Sequence, residues 1–416
     1  MQFASPVSQQ SSAVWPVVAQ PGPAPFCIGY AAIVRQAYAG ADLSILMQDL
    51  VARVQGPVVD PAALLDLATL LMLQGGDLAA EGAVMQRHAI AMQQSYQIRH
   101  GAGSGLRILA FVAAGDFMAN TPLDFLLHGS DAVLILHFVD PETPDLSNLP
   151  AHDVAFMAIG ESPENAALLR HMQTMLRGFS TPICNNNPAL IAKLSRADVA
   201  QMLADAPGLY SPPTQMRARA DLIADLMTTQ VATPHILRPV GTHAGAGMAR
   251  IATSADLASW LRQHDAAQAY TAPFIDYRGP NGLYAKQRVV LIRGKAFASH
   301  MASSAHWMVH YLNADMADHP NRRAAEAAWM ADFDDDFAQR HATAFATLYD
   351  RIGLDYFGID CAELPDGRLL VFEVDVAMIV HDMDPAQIFP YKPAAMRKLF
   401  TGFLTALEET AKNWAG

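Results

Sequence analysis

Three acidic residues near the C-terminus have the spacing of a charge-binding centre. Residues 355–363 and 368–375 read as two antiparallel strands joined by the compact turn Pro365-Asp366-Gly367. On the second strand Glu373 and Asp375 are two apart and share a face, while Phe372 and Val374 take the other. Pairing of the strands brings Asp360 beside them. Three carboxylates on one sheet face repel unless neutralised, and a hard divalent cation such as Mg²⁺ bridging phosphate oxygens is the usual solution. Asp360, Glu373 and Asp375 are therefore the expected metal ligands.

Cations suited to phosphate lie upstream. His235–Val240 is a short strand carrying Arg238, and Gly241-Thr242-His243-Ala244-Gly245-Ala246-Gly247-Met248 follows it directly. The glycines at 241, 245 and 247 would let backbone N–H groups converge on phosphate oxygens, and a strand-borne guanidinium holds two such oxygens at once. A plain glycine-rich hairpin turn is the alternative. Lys286 and Arg288 share one face of a further strand. Of the 15 histidines, His300, His306, His310 and His381 fall within about eighty residues. His306 and His310, four apart, would lie on one helix face. That spacing leaves zinc, simple packing, and recognition of an acidic or amine substrate open, although no third ligand is near and no Glu is interposed.

The elements that must position these residues follow from composition and periodicity. With 416 residues the chain has room for two to four domains of the usual ~100–200 residues and a sizeable core. At 52% hydrophobic and 16% charged it is globular rather than disordered, and its net charge of −12 is the wrong sign for a general nucleic-acid binder. Cys27, Cys184 and Cys361 are far apart, which excludes a Cys-x-x-Cys pair and fits a reducing compartment. No run of about 18 apolar residues suggests a membrane span. A cytoplasmic location is the expectation.

Along the chain, residues 1–40 read as an irregular leader, with five prolines in the first 25. Residues 41–100 read as a helical, tetratricopeptide-like hairpin forming a cap, with Asp60-Pro61 as N-cap and first helical residue. After the break at Gly101–Gly105 come the apolar runs 107–112, 132–136 and 153–158, separated by helix-length segments, which predict a parallel α/β domain over 106–190. No Gly-x-Gly-x-x-Gly follows the first strand, so a dinucleotide site there is not expected. The acidic run 332–336 lacks the glycine and terminal Glu of a calcium loop and reads as a solvated helix start.

These motifs, in this order over roughly residues 106–410, resemble the ATP-grasp superfamily, and particularly carboxylate–amine ligases similar to glutathione synthetase and the ribosomal-protein glutamate ligases. The resemblance implies a mixed α+β and α/β fold, with a pre-ATP-grasp domain, then two ATP-grasp lobes over 191–410 and an adenine hinge near 270–277. In that family an Asp and a Glu-x-Asn hold the metals; here Asp360 and Glu373-Val374-Asp375 match, with Asp in place of Asn. The two phosphate-binding lysines of the family correspond to Arg196 and Arg238. The hinge is similar to Tyr270–Asp276, where Pro273 would supply a carbonyl and Ile275 an N–H to adenine, flanking Phe274. The family's Asp-x-Arg is written Lys286-Gln287-Arg288, and the Arg faces the γ-phosphate and acyl phosphate. His300, Ser303, His306, His310, His381 and Asp382 fall where substrates bind, with His381 placed to take a proton from an ammonium nucleophile. The implied activity is ATP-dependent joining of a small carboxylate to an amine through an acyl phosphate, with ATP and Mg²⁺ as cofactors. Small carboxylate and amine substrates such as amino acids or a peptide are then the expected partners, with neither membrane nor nucleic acid, and dimers are common in such families. An inactive nucleotide-binding interaction protein and a phosphotransferase acting on a hydroxyl are the alternatives.

Overall fold

The computed structural model describes residues 24–228, 234–242, 245–310 and 314–413. Residues 1–23 of the expected leader, together with His243, Ala244 and Tyr311 of the singled-out motifs, lie outside the described residues. The chain divides into two units, 1–97 and 98–416.

In the first unit β1 (Phe26–Cys27) precedes four helices, α1 (Tyr30–Tyr38), α2 (Ser44–Val54), α3 (Pro61–Met72) and α4 (Gly76–Met92), and β2 (Ser95–Arg99) begins at its end. Asp60 caps α3 as its spacing predicted, accepting from the Ala62 and Ala63 N–H groups at 2.9 and 3.2 Å and pairing with Arg53 at 2.8 Å. Helix α1 falls inside the stretch expected to be irregular. Its approach is held by Asp66, a buried acid on α3 that accepts from the Ile28 and Gly29 N–H groups at 2.8 and 3.2 Å. That contact spans 38 residues, beyond the reach of any local pattern.

The second unit opens with four parallel strands, β3 (Arg107–Val112), β4 (Val133–Phe138), β5 (Val154–Met157) and β6 (Ile183–Cys184), in the order β4-β3-β5-β6. Short α5 (Leu123–Leu126) and then α6 (Ala166–Met175) connect them. The strands are nearly continuous apolar runs because helices cover parallel sheets on both faces. The chain passes through α7 (Pro188–Ile191), α8 (Arg196–Met202) and β7 (Leu209–Tyr210) into a four-stranded lobe. That lobe consists of β8 (Gln215–Ala218), α9 (Arg219–Thr228), β9 (His235–Pro239), β10 (Ala249–Ile251), α10 (Ser254–Gln263) and β11 (Gln268–Pro273), with sheet order β10-β9-β11-β8. A small core of its own, centred on Leu237, Leu257 and Trp260, holds it together.

The largest antiparallel sheet follows. Strands β12 (Tyr284–Ile292) and β13 (Lys295–Ser304) form a hairpin whose two-residue turn, Arg293-Gly294, has both residues at positive φ (48° and 80°). After α11 (Pro320–Ala331), α12 (Phe337–Arg340) and α13 (Ala342–Ile352) come β14 (Tyr356–Glu363) and β15 (Leu369–Asp375), and α14 (Lys392–Asn413) closes the chain. The order is β13-β12-β14-β15-β7. The run 332–336 forms the turn between α11 and α12, with Asp336 paired to Arg340 at 2.8 Å and Phe333 buried. One apolar core joins the parallel strands to this sheet, running from Leu109 and Ile135 through Leu169 to Val289, Leu348 and Ile359. Among the described residues no helix is long and apolar enough to cross a membrane.

Asn185 fastens these two sheets. It is buried at the end of β6 with φ 55°, and its side chain donates to the Tyr356 carbonyl at 2.9 Å and accepts from the Tyr356 N–H at 2.8 Å. Its own N–H donates to Asp355 at 2.8 Å. Asn185→Ala leaves both Tyr356 backbone groups unsatisfied in the core and places Ala in the left-handed region, so a loss of about 2–4 kcal/mol is expected. The shift of the urea midpoint measures it; an unchanged midpoint would show that the clamp carries no stability.

Candidate active site

One row of side chains crosses the large sheet. His300 on β13 is the register partner of Arg288 on β12, Arg288 of Asp360 on β14, and Asp360 of Glu373 on β15. Register partners project to the same face, so four functional groups stand side by side. Lys286, two residues before Arg288, joins that face. A bulge between Arg288 and Val289 absorbs one extra residue of β13. It turns both Ser299 and His300 towards the cavity above.

Asp360 is only 4% exposed and is saturated with positive charge. Arg288 Nε donates to its Oδ1 at 2.8 Å, while Lys286 Nζ and Arg288 Nη2 donate to Oδ2 at 2.8 and 3.1 Å. Burial by itself would raise its pKa, but Arg288 and Lys286 outweigh burial and hold the carboxyl well below its ordinary value. Arg288 is fixed at its other end by the Ile379 carbonyl, 2.9 Å from Nη1. Glu373 is ion-paired with Arg196 from α8, and Arg196 and Arg238 together outweigh its burial. Arg238 is itself pushed down to about 10, by burial and then by the neighbouring Arg196. Its Nη2 donates to the Thr242 carbonyl, while Nε is buried with no partner among the described residues.

These groups line one cavity of about 480 Å³, within the usual range for a small-molecule site. Its floor is the charged row. One side is the apolar edge of the four-stranded lobe, with Ile236, Met248, Pro273, Phe274 and Ile275; the far end carries Phe117, Met118, Met378 and Ile379 beside His381 and Asp384. Phe274 N–H donates to the Pro234 carbonyl at 3.0 Å, which fixes the segment after β11 against the start of β9. Gly245 stands at φ 72° where a Cβ would lie 2.2 Å from His310 Nε2, so only glycine permits this close approach.

Of the residues expected from the sequence, Arg196, Arg238, Gly245, Pro273, Phe274, Ile275, Lys286, Arg288, His300, His310, Asp360, Glu373, Asp375 and His381 line the cavity. Gly241, Gly247, Ser303, His306 and Asp382 are not among its lining residues. His306 and His310 do not share a helix face: β13 ends at Ser304 and a bend follows, which leaves His306 exposed. Ser303 is buried opposite Ala285, one residue out of step with the functional row. Asp382 faces His128 at 3.6 Å. The neighbouring acid Asp384 lines the cavity in its stead, held by Lys392 at 2.7 Å. In the sequence nothing distinguishes Asp384 from its neighbour, since both are lone loop acids.

The expected metal centre does not fit this arrangement. Among the described residues no three of His, Cys, Asp and Glu are grouped to hold a metal ion, and Asp360 and Glu373 are already occupied by cations. Asp375 differs from both. It accepts from the Ala377 N–H at 2.8 Å, and burial followed by the adjacent Glu373 raises it to about 6. Glu161, facing Asp375 and Arg196, is raised to about 7 by burial and by Asp375.

No protein-family model matches the chain, and no curated protein does. Among solved structures it is similar to a D-alanine–D-alanine ligase from Bacillus anthracis complexed with ATP, at 12% identity, covering 74% of this chain and 98% of that one, with a TM-score of 0.43. The D-alanyl-alanine synthetase A of Vibrio cholerae gives 12%, 74%, 99% and 0.45. A RimK-domain ATP-grasp protein from Sphaerobacter thermophilus gives 17%, 72%, 98% and 0.38. The fold itself has the arrangement implied by the motifs: a parallel α/β domain, then two β-rich lobes lining one cavity.

The raised Asp375 pKa has a measurable sign. A carboxyl that titrates higher in the folded than in the unfolded chain favours the fold while protonated, and that advantage is lost as pH rises from about 4 through about 6. Asp375→Asn keeps the acceptor for Ala377 and removes the charge that faces Glu373 and Glu161. It is expected to raise the melting temperature near pH ~7.5 and to leave it unchanged near pH ~4. An equal gain at both pH values would contradict the assignment.

Proposed function

We propose that the cavity binds ATP and that the protein is an ATP-dependent ligase joining a carboxylate to an amine. The observation that carries this reading is the meeting of Arg196 and Arg238, from two different elements, at one cavity wall, with the Arg238 Nε buried and unpartnered among the described residues. Arg238 keeps an unused donor there, Arg196 adds a second guanidinium on the same wall although one of its nitrogens holds Glu373, and planar forks suit phosphate oxygens. The apolar slot between Ile236, Met248, Phe274 and Ile275 then suits a planar base, with the hinge backbone beside it.

In this reading a substrate carboxylate oxygen attacks the γ-phosphorus, the bond to the β-phosphate bridging oxygen breaks, and ADP leaves. The amine nitrogen then attacks the acyl carbon, phosphate departs, and an amide forms. Arg288 steadies the transferring phosphoryl group, since such reactions are accelerated mainly by positioning and fixed positive charge. His300 and His381 are depressed by burial, so each meets the amine as a neutral imidazole able to accept a hydrogen bond from it. The locking of Asp360 and Glu373 in ion pairs favours a second reading, a nucleotide binder without turnover.

Incubation with ATP and pools of amino acids and small acids separates them. Substrate-dependent release of ADP and phosphate with a condensed product supports the ligase, whereas tight ATP binding without turnover supports the binder. Arg238→Met is expected to weaken ATP binding about 10–100-fold, the loss of a charge-assisted contact. Calorimetric titration measures it, and unchanged affinity would remove the arginine pair from the phosphate site.

A further inference from the structure

We propose that Lys286 and Arg288 are the resident counter-cations of Asp360, so that this chain takes a nucleoside triphosphate without a divalent metal on that carboxylate. The inference rests on the nucleotide reading of the cavity and departs from the metal-centred expectation for it.

The geometry carries it. A carboxylate has about four lone-pair sites, and three on Asp360 are filled by nitrogen donors at 2.8, 2.8 and 3.1 Å. Mg²⁺ demands near-octahedral oxygen ligands at about 2.0–2.1 Å, and the one site left, on Oδ1, would set it against the guanidinium that already donates to that oxygen. Neither cation is placed to leave. Arg288 is tied to the Ile379 carbonyl at 2.9 Å, and the Lys286 side chain is 14% exposed against an acid that is 5% exposed. Glu373 has its own partner in Arg196.

The charge reversal lies at Lys286. The pattern implied by the resemblance puts Asp at this position, which would leave Asp360 with Arg288 alone and sites open for a metal. With Lys there the carboxylate is neutralised by the protein itself. Lys286 and Arg288 both border the cavity, so the cations that neutralise Asp360 also stand within reach of whatever occupies it.

Two measurements on the whole chain test this. Manganese titration of the ligand-free protein, followed by electron paramagnetic resonance, should show no stoichiometric site in the wild type. Binding of the non-hydrolysable analogue AMP-PNP should be within about threefold in EDTA and in Mg²⁺. Lys286→Gln and Lys286→Met leave Asp360 paired with Arg288, so both should fold. Their AMP-PNP affinity in EDTA should fall about tenfold or more, with Mg²⁺ restoring it, while Lys286→Arg should behave as the wild type. Wild-type binding that is strict for Mg²⁺, or a manganese site in the ligand-free wild type, overturns the inference and leaves the nucleotide reading standing. Binding of AMP-PNP in neither buffer overturns the nucleotide reading, and this inference with it.

Discussion

Asp360 lies between Lys286 and Arg288, and this buried trio sets where the rest of the cavity wall can be. A charge so far from water is tolerated only when every oxygen is met, and removing one member of such a group costs roughly 3–5 kcal/mol. The requirement fixes the register of β12 against β14, since a one-residue slip would turn Arg288 into the core and away from the acid. It also fixes the segment after β15, because Arg288 holds the Ile379 carbonyl with the hydrogen bond it does not give to Asp360. Met378, His381 and Asp384 at the far end of the cavity belong to that segment.

A second buried cluster frames the same wall from behind. Glu326, fully buried on α11, accepts from the Met301 N–H at 2.9 Å and from the Tyr391 hydroxyl at 2.6 Å, and lies 3.2 Å from Lys392. Lys392 in turn holds Asp384 at 2.7 Å. Strand β13 and the segment after β15 are thus joined through three side chains rather than through backbone pairing. Of the cavity lining, Asp384 is a member of this cluster and His300 precedes Met301, whose N–H the cluster holds.

Much of the scaffold was legible because its signals are local. The runs at 107–112 and 369–375, the turn at Pro365-Asp366-Gly367 and the cap at Asp60 depend on residues within a few positions of each other. The gathering of acids and cations was legible too, since period-two alternation puts Glu373 with Asp375 and Lys286 with Arg288. What could not be read was which charge meets which. Spacing alone points the acids to a metal and the cations to phosphate, whereas Asp360 meets Lys286 and Arg288 across 74 and 72 residues and Glu373 meets Arg196 across 177. Such pairings depend on register and on one bulge, and neither has a sequence signature. His306 and His310 failed for a simpler reason: a four-residue spacing without apolar periodicity around it does not make a helix, and here β13 runs straight into a bend.

The cavity therefore has a direction. Arg196 and Arg238 meet at one wall beside Glu373, the middle is the row in which His300, Arg288, Asp360 and Glu373 stand side by side, and the far end is apolar beside His381 and Asp384. Placement of Arg288 between the two ends follows from its bond to Asp360, so a buried ion pair that adds little to folding stability by itself decides where charge transfer across the site would be stabilised. The histidines contribute only while uncharged. Burial keeps them so, and the same apolar packing of Phe125 against His381 that lowers its basicity also holds its ring at the cavity edge.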